Sequence, residues 1–190
     1  IIKVSTIDDI GINELKEEII NLSNSTKEKF NREVFRMFID RVFIKKGFGT
    51  VVTGTVISGE IDDNSKVNLL PKNDIVTIRS IQTHNTKVSK VRIGSRTAIN
   101  MQNIDKNKVF RGSHLGEKDY FHLVDNAIVE IKILKDIKHN QRIRIHLGTQ
   151  EVIARIVFVD KKINNIAFLK FEKKIICSFK DRFIIRNFSP

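Results

Sequence analysis

The chain has 190 residues and a hydrophobic fraction of 41%, enough for one large domain or two small ones with packed cores. A formal charge of +12 and a pI near 9.9 argue for an acidic partner, nucleic acid above all, beside the plainer reading of a Lys- and Ile-rich composition drawn from an AT-rich genome. One cysteine, Cys177, excludes a disulfide framework and fits a reducing, cytoplasmic setting; no apolar run is long enough for a helical membrane span, so no membrane partner is expected.

Residues 1–30 form a first segment. "IIKV" reads as a short buried strand, followed by a polar turn over residues 5–9. Ile12, Leu15, Ile19 and Leu22 then recur at helical spacing, with Glu14 early in the helix, where acids suit the positive end. "NLSNSTKEKFN" reads as a linker. A strand and one helix cannot bury a core alone, so this segment is expected to lean on something else, as the tail of an α/β domain would. A first residue of Ile rather than Met agrees with a piece of a longer protein.

The second segment, 31–117, changes character. In "VFRMFIDRVFI" Phe35, Met37 and Ile39 fall on one side of a strand, and Arg36, Phe38 and Asp40 on the other. Residues 51–57, 67–70, 75–81 and 96–101 are again β-rich and are separated by Gly, Asn, Asp or Pro turns, the pattern of a barrel or sandwich. The third segment, 118–190, has the same character, since "AIVEIKIL", "QRIRIHL", "EVIARIVFV", "NIAFLKF" and "RFIIRNF" all read as strands.

"GFGTVVTGTVISGE", residues 47–60, is uncharged until its last residue. Its glycines, at 47, 49, 54 and 59, fail the G-x-G-x-x-G spacing of a dinucleotide loop, and no G-x-x-x-x-G-K-[ST] occurs anywhere. Gly47 and Gly49 therefore read as a hairpin turn, and Gly54 as a bulge or close backbone approach. The stretch is sheet, expected to be buried on both sides of a closing barrel.

"FRMFIDRVFIKKGFGTVVTGTVISGEI", with "NLLP", "GSRTAIN" and "VFRGSHL", resembles the second domain of translational GTPases, and within them most closely the selenocysteine-specific elongation factors. "QRIRIHLGTQEVIARIVF" and "DRFIIRNFSP" resemble the third domain of the same factors; "VSTIDDIGINELKEEI" resembles the last strand and helix of a GTPase domain, with Ser5-Thr6 at a guanine-contacting motif. The resemblance implies a mainly β fold: two tandem β-barrels, 31–117 and 118–190, after a short strand-helix remnant of an α/β GTPase domain, 1–30. Phe38 stands where the family commonly has proline, and Asn64-Ser65 where it has Gly-Asp; both read as turn or edge changes.

The same resemblance implies a platform that binds aminoacyl-tRNA and delivers selenocysteyl-tRNA to the ribosome in a GTP-dependent manner. It implies further partners in the factor's own GTPase domain and C-terminal winged-helix domains. GTP and Mg would belong to that GTPase domain; this chain would carry no cofactor and no catalysis. The amino-acid pocket falls near Asp40, Arg41 and Arg96, in "IDR" and "GSR". A selenol is far more acidic than a serine hydroxyl, so a cationic pocket favours the selenolate by a charge-dependent margin on the order of a few kcal/mol before desolvation. Arginine suits a fixed anion site because it stays charged and presents a rigid fork. Neighbours on a regular strand face opposite sides, so Asp40 and Arg41 share a pocket only where the strand ends or bulges.

Lys45, Lys46, Arg142 and Arg144 are candidates for the tRNA backbone, although each taken singly fits a solvated face. None of the five histidines has metal-ligand spacing, Asp62-Asp63-Asn64 lacks the spacing and terminal Glu of a calcium loop, and Ser113-His114 lacks a third catalytic member. The rival readings are the equivalent domains of another translational GTPase, such as EF-Tu or the tRNA-binding subunit of an initiation factor, and a β-barrel module that binds protein.

Overall fold

The computed structural model describes residues 1–25, 33–117, 120–132, 134, 136–160 and 163–188. The chain divides into two units, Ile1–Asn31 and Arg32–Pro190.

In the first unit, helix α1 spans Ile12–Ser25, with Glu14 in its first turn. No described residue of this unit is buried, and Ile19 and Leu22 stand more than half exposed, in keeping with a segment that cannot form a core alone. Two expectations are corrected. "IIKV" is neither a strand nor buried, because no ladder pairs with it among the described residues; only the Ser5–Ile10 bridge follows. The helix also runs through residues 21–25 of the expected linker, and residues 26–31 of that linker lie outside the described residues.

Among the described residues, the regular structure of the second unit is strand apart from one turn of 3-10 helix. Its strands are β1 (Arg36–Lys45), β2 (Gly49–Ser58), β3 (Glu60–Asp62), β4 (Lys66–Leu70), β5 (Asp74–Thr83), β6 (Thr86–Val88), β7 (Lys90–Arg92), β8 (Arg96–Gln102) and β9 (His114–Gly116). They continue with β10 (His122–Glu130), β11 (Gln141–Leu147), β12 (Gln150–Asp160), β13 (Ile163–Cys177) and β14 (Ile184–Arg186). In the first sheet the order is β4-β9-β1-β2-β8-β5, and β4 pairs back onto β5 to close a six-strand barrel. Met37, Ile39, Val52, Ile78, Ile99 and Leu115 fill it. The second sheet is antiparallel, in the order β10-β13-β12-β11-β14, around Ile143, Ile145, Ile156 and Leu169. The mainly β architecture read from the sequence is the one observed.

Three details depart from the sequence pattern. The first strand of the third segment begins earlier than "AIVEIKIL", because Asp125 and Asn126 do not end it: they ride a register shift within the β10–β13 ladder. On β2, burial on both sides holds only for Thr50, Val51 and Val52; beyond them Thr53 and Thr55 face partly outward and Ile57 is 38% exposed. Phe38 is not a turn or edge residue but lies within β1, an inner strand of its sheet, buried among the core residues of the second sheet.

The position of Phe38 explains why Phe35–Ile39 is buried on both faces. The outer face of β1 is covered by the second sheet. Its Phe38 ring fills the space that a Cβ on Gly148 would need, 2.5 Å from the nearest ring carbon. Thr149 Oγ1 donates to the Ile39 carbonyl at 2.7 Å. Arg36 is 1% exposed; its Nη1 donates to both Asp181 oxygens, at 2.9 and 2.8 Å, and its guanidinium lies 4.5 Å from the Phe38 ring centroid and 4.4 Å from that of Phe121. His114 packs edge-on against the same two rings, and burial, with the Arg36 charge adding to it, pushes its pKa down to about 3. It is a neutral packing residue.

Candidate functional site

The site grows out of an irregularity in β1. Ile39 pairs with Gly54 and Arg41 with Thr53, so Asp40 is an extra residue with no partner on β2. This bulge removes the objection that adjacent strand residues cannot serve one site. The strands approach closely beside it: a Cβ on Gly54 would sit 2.0 Å from the Phe38 carbonyl oxygen, so only glycine fits. The hairpin turn is glycine-built as read, with φ of +78° at Gly47 and +85° at Gly49.

Asp40 is held from two neighbouring strands. Thr53 Oγ1 donates to Asp40 Oδ1 at 2.7 Å, and Arg96 Nη1 donates to Oδ2. Arg96 opens β8 opposite Thr55, and its own carbonyl accepts from Thr83 Oγ1 at 3.0 Å. Burial alone would raise the Asp40 pKa, but hydrogen bonds from Arg96 and Thr53, with the charges of Arg96 and Arg41, hold it below the ordinary carboxylate value. Among the described residues Asp40 is the only ion-pair partner of Arg96, and Arg41 has none. One carboxylate is thus set against two guanidinium groups, leaving a positive remainder at a partly open surface. The structure brings Asp40 and Arg96 into contact, with the Arg41 charge acting on Asp40.

The four backbone candidates are spread over two regions. Lys45 lies over the Phe48 ring at 4.7 Å, beside exposed Lys46 at the tip of the β1–β2 hairpin. Arg142 and Arg144 share the outer face of β11, whose alternate residues Ile143 and Ile145 are core. Both are paired, Arg142 Nε with Glu172 at 2.8 Å and Arg144 Nε with Glu151 at 3.1 Å, and both guanidinium groups lie over Phe188, at 5.7 and 5.2 Å.

Sequence reading missed what the register adds to this face. Arg142 stands opposite Arg155 on β12, which stands opposite Lys170 on β13, making a row of three exposed cations across the sheet. The alternation within each strand pointed to exposure, but only the ladder brings the three together. Arg36 was also missed, because its acidic partner lies 145 residues away.

A broad groove along β14, lined by Ile131, Leu134, Phe183 and Ile185, brings in none of the singled-out residues. Among the described residues no group of three or more His, Cys, Asp or Glu could hold a metal ion, and no helix is long and apolar enough to cross a membrane.

Comparison with known proteins bears on the same chain. Residues 124–190 match the family model "Selenocysteine-specific elongation factor, beta-barrel domain". A selenocysteine-specific elongation factor of Desulfomicrobium baculatum is 31% identical over 199 residues, covering all of this chain and 31% of that protein. One from Methanocaldococcus jannaschii is 35% identical over 172 residues, covering 87% of this chain and 37% of that protein. The chain therefore spans about a third of the length of these relatives. The solved structure of a bacterial selenocysteine-specific elongation factor superposes with a TM-score of 0.85 at 28% identity, over 98% of this chain and 31% of that one. Translation elongation factor SelB from Methanococcus maripaludis, in complex with a GTP analogue, superposes with a TM-score of 0.83 at 27% identity, over 96% and 45%. These matches, on a closed barrel carrying the hairpin and the Asp40–Arg96 pair, assign the chain to the selenocysteine-specific elongation factors of the translational GTPase superfamily, as a portion that carries the β-barrel domain.

Proposed function

We propose that this chain is the aminoacyl-tRNA-binding platform of its factor, and that Asp40, Arg41 and Arg96 receive the selenocysteyl end of the tRNA. The observation that carries this reading is the charge balance on the bulged strand: two arginines face one carboxylate, and Arg41 has no ion-pair partner among the described residues. A selenolate completes that balance; a neutral serine hydroxyl does not. A charge difference of this kind at surface-like screening is worth about 4 kcal/mol at 4 Å before desolvation is subtracted.

Residues 31–117 would serve as the barrel that meets the aminoacyl end, and residues 118–190 as the domain that meets the tRNA backbone through the row Arg142, Arg155 and Lys170 with Arg144. Lys45 and Lys46 would add contacts at the hairpin tip. Delivery to the ribosome, GTP with Mg, and hydrolysis belong to parts of the factor outside this chain, which binds and does not catalyse.

The test compares selenocysteyl-tRNA with seryl-tRNA on the chain and on Arg96→Ala. The expected result is a preference for selenocysteyl-tRNA that falls about tenfold or more in the variant, while affinity for seryl-tRNA changes little. Equal binding of both tRNAs by the unaltered chain overturns the reading. A salt titration adds a second check: backbone contacts predict a steep fall of affinity with salt, and a flat response favours a protein-binding module.

A further inference from the structure

We propose that Thr53 is a positioning residue of this site: its hydroxyl ties one oxygen of the Asp40 carboxylate, so that the other stays on Arg96 and the two arginines keep one defined arrangement toward an anion. The inference rests on the reading of Asp40, Arg41 and Arg96 given above.

Thr53 occupies the middle of a row across three strands, opposite Arg41 on β1 and opposite Ala98 on β8. Ala98 offers no polar side-chain atom, so Thr53 supplies the only hydroxyl in that row. Asp40, as the bulge residue, has no cross-strand partner of its own on β2 to fix its direction. Its carboxylate makes two side-chain hydrogen bonds among the described residues, to Thr53 and to Arg96. Remove the first and the carboxylate is free to turn between Arg41 and Arg96, both of which act on it electrostatically. Either arginine could then be neutralised, and the site would lose the fixed pairing that distinguishes a selenolate from a hydroxyl.

Carbon-detected NMR titration of the Asp40 carboxyl in the chain, in Thr53→Val and in Thr53→Ser tests this, together with the affinity ratio for selenocysteyl-tRNA over seryl-tRNA in each. Valine keeps the shape and removes the donor; serine restores the donor. Thr53→Val should raise the Asp40 midpoint and lower the ratio about three- to tenfold, the size of one ordinary hydrogen bond, since Thr53 acts on the anion only through Asp40, with seryl-tRNA affinity changing less than that. Thr53→Ser should restore both. Should Thr53→Val fail to fold, Thr53→Ala carries the same expectation. An unmoved Asp40 midpoint in a folded variant, or a serine variant that fails to rescue, overturns the proposal. Equal binding of the two tRNAs by the unaltered chain would instead overturn the selenolate reading, and the titration would still decide whether Thr53 positions Asp40.

Discussion

Two arginine–aspartate pairs are anchored four residues apart on β1, and they behave as opposites. Arg36 and Asp181 join the two sheets, with side chains 1% and 11% exposed. Asp40 and Arg96 sit on the outer surface of the first barrel, 25% and 54% exposed. The same chemistry is structural in one place and available in the other. Charges buried as deeply as the first pair persist only while their partner is present, whereas an exposed pair contributes about 0–1 kcal/mol and can exchange partners at small cost. An anion-binding site belongs at the second kind of pair.

The largest expected effect lies at the buried pair. Arg36→Ala should cost about 3–5 kcal/mol in denaturant unfolding, since it leaves Asp181 without its main counter-charge, and the double variant Arg36→Met with Asp181→Leu should recover most of that loss. A cost below about 1 kcal/mol would erase the contrast.

Acid should act next. The folded pKa of His114 is about 3 against an ordinary 6.5, and the depressed value belongs to the folded state. Its contribution is therefore complete above 6.5 and is lost as pH falls from there toward 3, because the unfolded chain takes up the proton first. The slope is about 1.4 kcal/mol per pH unit, and His114→Phe should flatten it over that window in stability measured against pH.

A smaller effect is expected at Gly148, where φ is +57° and an added Cβ meets the Phe38 ring. Gly148→Ala should cost about 1–3 kcal/mol in the same unfolding assay.

The smallest stability effect belongs to the exposed pair. Arg96→Ala should change unfolding by less than about 1 kcal/mol. Because the Asp40 pKa is lowered by its partners, that small contribution is present above the ordinary value of 3.8 and disappears as pH falls below it through the folded value. The difference between the chain and Asp40→Asn should accordingly close in acid.

The elements were legible in the sequence where a single strand carries its own signal. Alternation marked Gln141–Leu147, and the glycines at 47 and 49 marked the hairpin. What could not be read locally was contact between distant strands. Arg36 and Phe38 read only as the second side of an alternating strand, and it is the second sheet that makes that side an interior. The bulge at Asp40 was recognised as a requirement for the site, but nothing in "FIDRVF" locates it; the close approach of Gly54 to the Phe38 carbonyl, on the opposite strand, marks the place. "IIKV" was misread because an apolar run without a partner ladder has no reason to be a strand.

Whether the bulged strand discriminates by charge is decided by the affinity ratio for selenocysteyl-tRNA over seryl-tRNA, followed with pH on the unaltered chain. The ratio should be large at neutral pH and collapse once acid protonates the selenol, and it should stay small at every pH in Arg96→Ala. A ratio that ignores the protonation of the selenol, or survives the loss of the Arg96 charge, would contradict a cationic selenolate site.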